Sequence, residues 1–234
     1  MPNIHIWLAA AAIVAALPAQ ANLVRNGSFE NASLNVLTFR NLMAGSTVIN
    51  DWQIGGGAID YVGAGLWNGS DGGHSVDLDG SAFVNGAFLN GWVSQTFATD
   101  VGADYEVDFD LSGNPGALPL DKVMEVSAAG SSAVFSFRIG THHLGGAGAA
   151  PWTIPYDAHA WHFTATAATT TLTFRSLTHL TGQTGWGAVI DNVVVERASA
   201  APPSSVPEPA SLALAGLGLV LMAGARLRRQ PRSA

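Results

Sequence analysis

Residues 105–111 read Tyr105, Glu106, Val107, Asp108, Phe109, Asp110 and Leu111. Every second residue is apolar, and each one between is acidic. Side chains along a strand alternate between its two faces, so the four apolar groups share one face and the carboxylates the other. Such a segment is a half-buried strand of an antiparallel sheet. Its apolar face demands a second layer to cover it.

Similar short runs lie on both sides, at 59–62, 75–78, 93–98, 122–127, 134–139, 161–165, 170–176 and 189–196. Turn-forming clusters separate most of them. Examples are Asn68-Gly69-Ser70-Asp71-Gly72-Gly73 and Gly113-Asn114-Pro115-Gly116. No stretch of the middle region carries an amphipathic helical period, and there is no internal repeat. About nine or ten strands with turn-rich connections predict an all-β jelly-roll sandwich.

Both ends read as targeting segments. Residues 4–17 are apolar apart from His5, Pro18 breaks the run, and Ala19-Gln20-Ala21 supplies small residues for signal cleavage at Ala19 and Ala21. Residues 198–206 are rich in Ala, Ser and Pro and read as an extended linker. An apolar stretch then runs over 210–225, interrupted only by Ser211, and Arg226, Arg228 and Arg229 follow. As a helix it covers ~24 Å at ~1.5 Å per residue, close to spanning a bilayer once the arginines snorkel. The basic cluster would stay cytoplasmic and the domain outside.

Pro207, Glu208 and Pro209, followed by a short Leu/Ala/Gly helix and a basic end, resemble the PEP-CTERM sorting signal. The resemblance implies recognition by an exosortase in a Gram-negative envelope, a transient inner-membrane anchor, and later removal of the tail. The organisation expected is a signal peptide over 1–21, a domain over 22–197, a linker over 198–206 and a sorting signal over 207–234.

The net charge is −7, with arginines concentrated in the tail, so the domain itself is more acidic than the chain. An acidic surface repels phosphate backbones, and no nucleic-acid partner is expected. Cysteine is absent. A domain of this size builds an adequate core without disulfides, so this absence does not fix the compartment.

A second resemblance runs through the middle region. It rests on Asn26-Gly27-Ser28-Phe29-Glu30, Asp51-Trp52, Ile59-Asp60-Tyr61-Val62-Gly63, Ser75-Val76-Asp77-Leu78-Asp79-Gly80, Ser94-Gln95-Thr96-Phe97, Phe109 to Pro115, and Ile190-Asp191-Asn192-Val193. In this order they resemble the choice-of-anchor C family. The resemblance implies a galactose-binding-like jelly roll with no established catalytic activity. It further implies that the first and last strands meet, where Glu30 and Asp191 could hold a structural calcium ion with backbone carbonyls. Hard oxygen ligands suit that ion. The alternative is that both carboxylates cap turns or pair with arginines.

No catalytic constellation stands out, and the chain is not expected to be an enzyme. Gly-x-Ser-x-Gly, His-Glu-x-x-His and phosphate-loop patterns are absent. His142-His143, and His159 with His162, invite a zinc reading, but residues one or three apart on a strand face opposite ways. Asp77 and Asp79 share a strand face, as do Asp108 and Asp110, and acids so placed most simply lie on a solvated face. A glycosidase would need two carboxylates facing each other across a cleft.

Tryptophan remains. Trp161 starts an apolar strand and reads as core. Trp67, Trp92, Trp152 and Trp186 sit beside glycine or proline, where exposed aromatics could stack on pyranose rings; the alternative folds them onto the sandwich end. Three functions follow in order: a non-catalytic module binding exopolysaccharide or cell-wall glycan, a structural envelope or biofilm-matrix component, and a glycoside hydrolase.

Overall fold

The computed structural model describes residues 21–80, 83–84, 87–140, 150–178 and 185–198. Signal segment, linker, sorting motif and the expected C-terminal helix therefore lie outside the described residues, apart from Ala21 and Ala198. Among the described residues there is no helix, and none long and apolar enough to cross a membrane. The described residues, which end at Ala198, form one compact unit that holds the described strands and core.

The strands are β1 (Phe39–Met43), β2 (Gln53–Gly56), β3 (Ala58–Gly63), β4 (His74–Asp77), β5 (Phe83–Val84), β6 (Ala87–Phe88) and β7 (Gly91–Ala98). They continue with β8 (Asp104–Gly113), β9 (Asp121–Ala128), β10 (Ser131–Arg138), β11 (Asp157–Thr164), β12 (Thr169–Ser176) and β13 (Ala188–Arg197). One sheet has the order β1-β3-β4-β13-β8-β11 and the other β10-β9-β12-β7-β2, while β5 and β6 form a small ribbon. Among the described residues all pairings between these strands are antiparallel, and an isolated bridge between Trp67 and Trp152 is parallel.

The alternation at 105–111 is the alternation of burial. Tyr105, Val107, Phe109 and Leu111 are buried between the sheets, with Met124, Val126, Leu172, Phe174, Val93 and Ile190. Burying one such side chain contributes ~1.5–3 kcal/mol, which makes this shared face the main stabilising element. Phe109 sets the packing geometry, meeting Phe135 and Phe174 edge-on at 5.1 and 5.3 Å. Trp161, expected in the core, is half-buried on edge strand β11 and packs against the core beside Phe163.

The segment from Asn22 to Phe29 is not a strand. It docks instead beside the last half of β13, where Leu23 N donates to Val195 O and Val193 N donates to Gly27 O. A β-carbon at Gly27 would stand 1.9 Å from Val193 O, so only glycine allows this approach. A bulge in β13 between Asp191 and Val194, with Asn192 at φ 51°, frees the backbone there.

Candidate functional site

The corner next to that bulge gathers both expected calcium ligands. Phe29, at φ 57°, buries its ring completely and turns Glu30 outward. Tyr61 Oη donates to Phe29 O at 2.7 Å and locks the corner from β3. Glu30 Oε1 then accepts the amides of Gly73 (2.7 Å) and His74 (2.6 Å), and Oε2 accepts His74 Nδ1–H at 2.8 Å. Asp191 Oδ2 accepts the amides of Ser70 (2.7 Å) and Asp71 (3.0 Å), while Oδ1 accepts that of Asn192. The two carboxylates thus grip opposite ends of one glycine-rich loop. His74 stacks on Tyr61 at 4.9 Å and closes the set.

Burial by itself would raise the Glu30 carboxyl, but the bonds from His74 and Gly73 outweigh it and hold the group below its usual range. Asp191 is fully buried, and burial pushes it up to about 7 against the pull of its amide bonds. Tyr61 is raised by burial and by the two nearby carboxylates. Glu30 Oε2 and Asp191 Oδ1 are each bonded to one nitrogen, so lone pairs remain for a hard cation. Among the described residues, no three His, Asp or Glu side chains assemble as ligands, so backbone carbonyls would have to complete any shell.

The four tryptophans separate. Trp67 is buried at 1 % exposure, donates Nε1–H to Ser75 Oγ at 2.9 Å, and anchors a second apolar cluster with Val62, Ile154 and Val189. It is core, which corrects its expected place on a binding surface. Trp152 stacks on it at 6.3 Å and is half-buried. Trp186 is half-buried against Gly116. Trp92 is half-buried on the outward side of the five-stranded sheet, its indole filling the space that a β-carbon at Gly55 would need.

Register places Trp92 in a row across that outward face. Gly55 pairs with Trp92, Trp92 with Arg175, Arg175 with Glu125, and Glu125 with Val134. Directly paired residues share a face. The neighbouring row is Gln53, Ser94, Thr173, Ser127 and Ser132. Arg175 reaches Glu125 at 3.0 Å, and Thr96 shares a 2.7 Å bond with Thr171. Ser94 is buried, but Gln53, Thr96, Thr171 and Ser132 are exposed, so the face offers hydroxyl and amide groups beside the Trp92 ring.

Asp77 and Asp79 do not lie on a solvated face, as their spacing suggested. Asp77 is completely buried and pairs in register with Asp60, which in turn pairs with Asn41. Asp77 accepts Asn114 Nδ2–H at 2.7 Å and the amides of Asp79 and Gly187. Asp79 is 3 % exposed and its Oδ1 has no hydrogen-bond partner. Lys122 is buried nearby, but its Nζ is donated to the carbonyls of Ala117 and Trp186. Burial pushes Asp60 up to about 6 against a bond from Asn41, Asp79 up to about 7 against the pull of Lys122, and Asp77 well up; the Asp60 charge adds to the rise of Asp77 and Asp79. Burial lowers Lys122 to about 8. Sequence reasoning missed this cluster because the Ser75–Asp79 alternation puts the acids on one face without showing what covers it; residues 75–80 are all buried, and Gly187 packs against Asp77 and Asp79. The outward acids Asp108 and Asp110 do lie on the solvent side, exposed and half-buried.

His159 stacks on Phe109 and meets Phe135, whereas His162 is exposed, so the pair faces opposite ways as their spacing predicts. His142 and His143 lie outside the described residues.

A family model described as "Protein of unknown function (DUF642)" matches residues 22–196. The chain belongs to the DUF642 family. The PEP-CTERM protein-sorting motif matches residues 205–229, which implies an exported, exosortase-processed surface protein. Halomucin of Haloquadratum walsbyi is 33% identical over 200 residues, which is 82% of this chain and 2% of that protein. The chain thus spans a small fraction of that relative's length. Among solved structures, TmCBM61 in complex with β-1,4-galactotriose matches with a TM-score of 0.43 and 16% identity, over 76% of this chain and 99% of its own. A family 35 carbohydrate-binding module from Clostridium thermocellum matches at 0.37 and 11%, over 68% and 97%. An exo-β-1,3-galactanase from Phanerochaete chrysosporium matches at 0.37 and 17%, over 69% of this DUF642 chain and 30% of the enzyme.

Proposed function

We propose that this DUF642 domain is a non-catalytic module, of the choice-of-anchor C kind, that binds exopolysaccharide or cell-wall glycan outside the cell. The observation that carries the reading is the outward face of the five-stranded sheet. There Trp92 is seated on Gly55 beside Arg175, next to a row that includes Gln53, Thr173, Ser127 and Ser132. An aromatic platform flanked by a guanidinium and by hydroxyl and amide groups suits the apolar face and polar rim of a sugar. A hydrolase needs carboxylates exposed in a cleft, and the Asp60, Asp77 and Asp79 group is shut off from solvent, which supports a binding role. Export through the sorting motif supports contact with polymers of the envelope. Exosortase removal of the tail after a transient inner-membrane anchor belongs to the same proposal, as does a structural calcium ion at Glu30 and Asp191.

A glycan array probed with residues 21–198 tests the reading. Binding to at least one polysaccharide class, weakened by Trp92→Ala, is the expected result. No binding to any class would favour a structural role in the envelope or matrix without a specific ligand.

A further inference from the structure

A cavity of about 660 Å³ opens at the β2 edge of the five-stranded sheet, beside β7 and the docked N-terminal segment. Its lining includes Arg25, Asp51, Gln53, Gln95 and Thr96. The frame beneath it is locked. Gln95 exchanges two hydrogen bonds with the Arg25 backbone, at 2.8 and 2.9 Å. Asn26 Nδ2 donates to Asn50 O, and Trp52 Nε1 donates to Asn26 O, which ties the turn carrying Asp51 to the same segment.

On this locked frame three polar ends are uncommitted. Arg25, Asp51 and Gln53 are exposed, and among the described residues no side-chain hydrogen bond or ion pair engages the guanidinium, the carboxylate or the carboxamide. Asp51 is also held at φ 69°, a sparsely populated conformation for a residue other than glycine. A fold that fixes the backbone of three polar residues around a hollow, and leaves their functional groups unpaired, has the construction of a prepared ligand site.

The chemistry narrows the ligand. A guanidinium fork donates to two neighbouring oxygens, a carboxylate accepts two hydroxyl protons, and a carboxamide does one of each. Adjacent hydroxyls of a sugar satisfy all three. The charges of Arg25 and Asp51 cancel locally, and the chain carries −7 overall, so an acidic polymer gains nothing here and is repelled at distance. Gln53 pairs with Ser94, and two residues along β7 on the same face lies Trp92, ~7 Å away. The Gln53 side of the hollow therefore lies nearest the aromatic platform, and the Thr96 side lies ~13 Å from it along β7.

We propose that this cavity is the principal glycan subsite, taking a neutral oligosaccharide. Vicinal hydroxyls of one unit are held by Arg25, Asp51 and Gln53, and the chain runs on across the sheet to stack on Trp92. The inference rests on the glycan-binding reading and adds its location and ligand class.

The test is calorimetric titration of residues 21–198 with neutral tetrasaccharides of β-1,4-galactan, β-1,4-glucan and β-1,3-glucan, and with tetragalacturonate as the charged probe. Expected is binding of at least one neutral probe over the charged one. Arg25→Ala, Asp51→Asn and Gln53→Ala should each weaken it about tenfold or more, the scale of a lost hydrogen bond to a charged or paired group, with unchanged melting temperature. Arg138→Ala, at the far edge of the sheet, should bind as the parent does. Equal binding by all three variants would overturn the location while leaving glycan binding intact. Preference for tetragalacturonate would overturn the ligand class. Binding to none of the four probes, with a positive glycan array, would overturn this subsite as drawn; a blank array as well would remove the glycan-binding reading itself.

Discussion

Glu30 and Asp191, from opposite ends of the domain's sequence, hold the two ends of a single loop. Glu30 takes the amides of Gly73 and His74, and Asp191 those of Ser70 and Asp71. A loop with two consecutive glycines has little conformational preference of its own, so these bonds supply its order.

Removing one grip should therefore loosen the loop before it unfolds the domain. Asp191→Ala leaves part-buried amides without acceptors and is expected to cost on the order of 1–3 kcal/mol. Asp191→Asn keeps an acceptor oxygen and should cost less. Glu30 is partly exposed, and Glu30→Ala should cost about 1 kcal/mol or less. Hydrogen exchange of the 70–74 amides is the measurement, with protection lost in the alanine variants at little change elsewhere.

Calcium at the same pair is a separate proposal with its own readout. An ion binding only the folded state stabilises it by RT ln(1 + [L]/Kd), about 2.7 kcal/mol at a hundredfold excess over Kd. For a domain of this size that is a rise of roughly 5–10 °C in melting temperature. Millimolar calcium against EDTA should show this rise in the parent protein, and Glu30→Gln with Asp191→Asn should abolish it. Identical melts in calcium and EDTA would leave the amide grip as the whole role of these carboxylates.

The buried aspartates set a pH dependence of known sign. Asp60 at about 6 and Asp79 at about 7 lie above the unfolded value of 3.8, so the folded state binds more protons between these limits. Their contribution is fully present below about pH 4 and is lost as pH rises to about 7. Asp191 adds in the same direction. Glu30 acts oppositely at the acid end, and Lys122, lowered to about 8, opposes the trend only above that pH. Chemical unfolding should therefore show stability falling from pH 5 to pH 7.5, on the order of 1.4 kcal/mol for each pH step through which one carboxyl loses its proton. Asp79→Asn should flatten the slope and stabilise the domain at pH 7.5.

Tryptophans 67 and 92 should part in their behaviour. Trp67→Ala empties a buried position and is expected to cost about 3–5 kcal/mol, lowering the melting temperature whatever the ligand. Trp92→Ala removes a half-buried ring and should cost on the order of 1 kcal/mol while weakening glycan binding. Thermal melts and titrations of both variants check this, and a large stability loss in Trp92→Ala would show that its ring is structural.

Much of the sandwich was legible because period-two alternation is a local property. The runs at 105–111, 122–127 and 170–176 each announce a strand and its buried face, and each lies within a strand of the fold. β1 and β2 escaped notice because Phe39–Met43 has its apolar ends exposed and Gln53–Gly56 is half glycine. Residues 22–30 looked like a strand but dock as a bent segment, since Gly27 and the left-handed Asn26 and Phe29 turn the chain.

By itself the sequence determined the all-β fold class and the C-terminal sorting motif, and a family resemblance marked Glu30 and Asp191. Each of these is carried by local composition, by spacing, or by a short motif. Only the tertiary structure decided that Trp67 is core while Trp92 faces outward, and that Asp77 and Asp79 are sealed in. It alone brought Arg25, Asp51 and Gln53 around one cavity. Burial and cavity lining depend on which distant strands and loops come to lie over a residue. Local pattern carries no information on that, because an antiparallel sheet joins partners far apart in the chain.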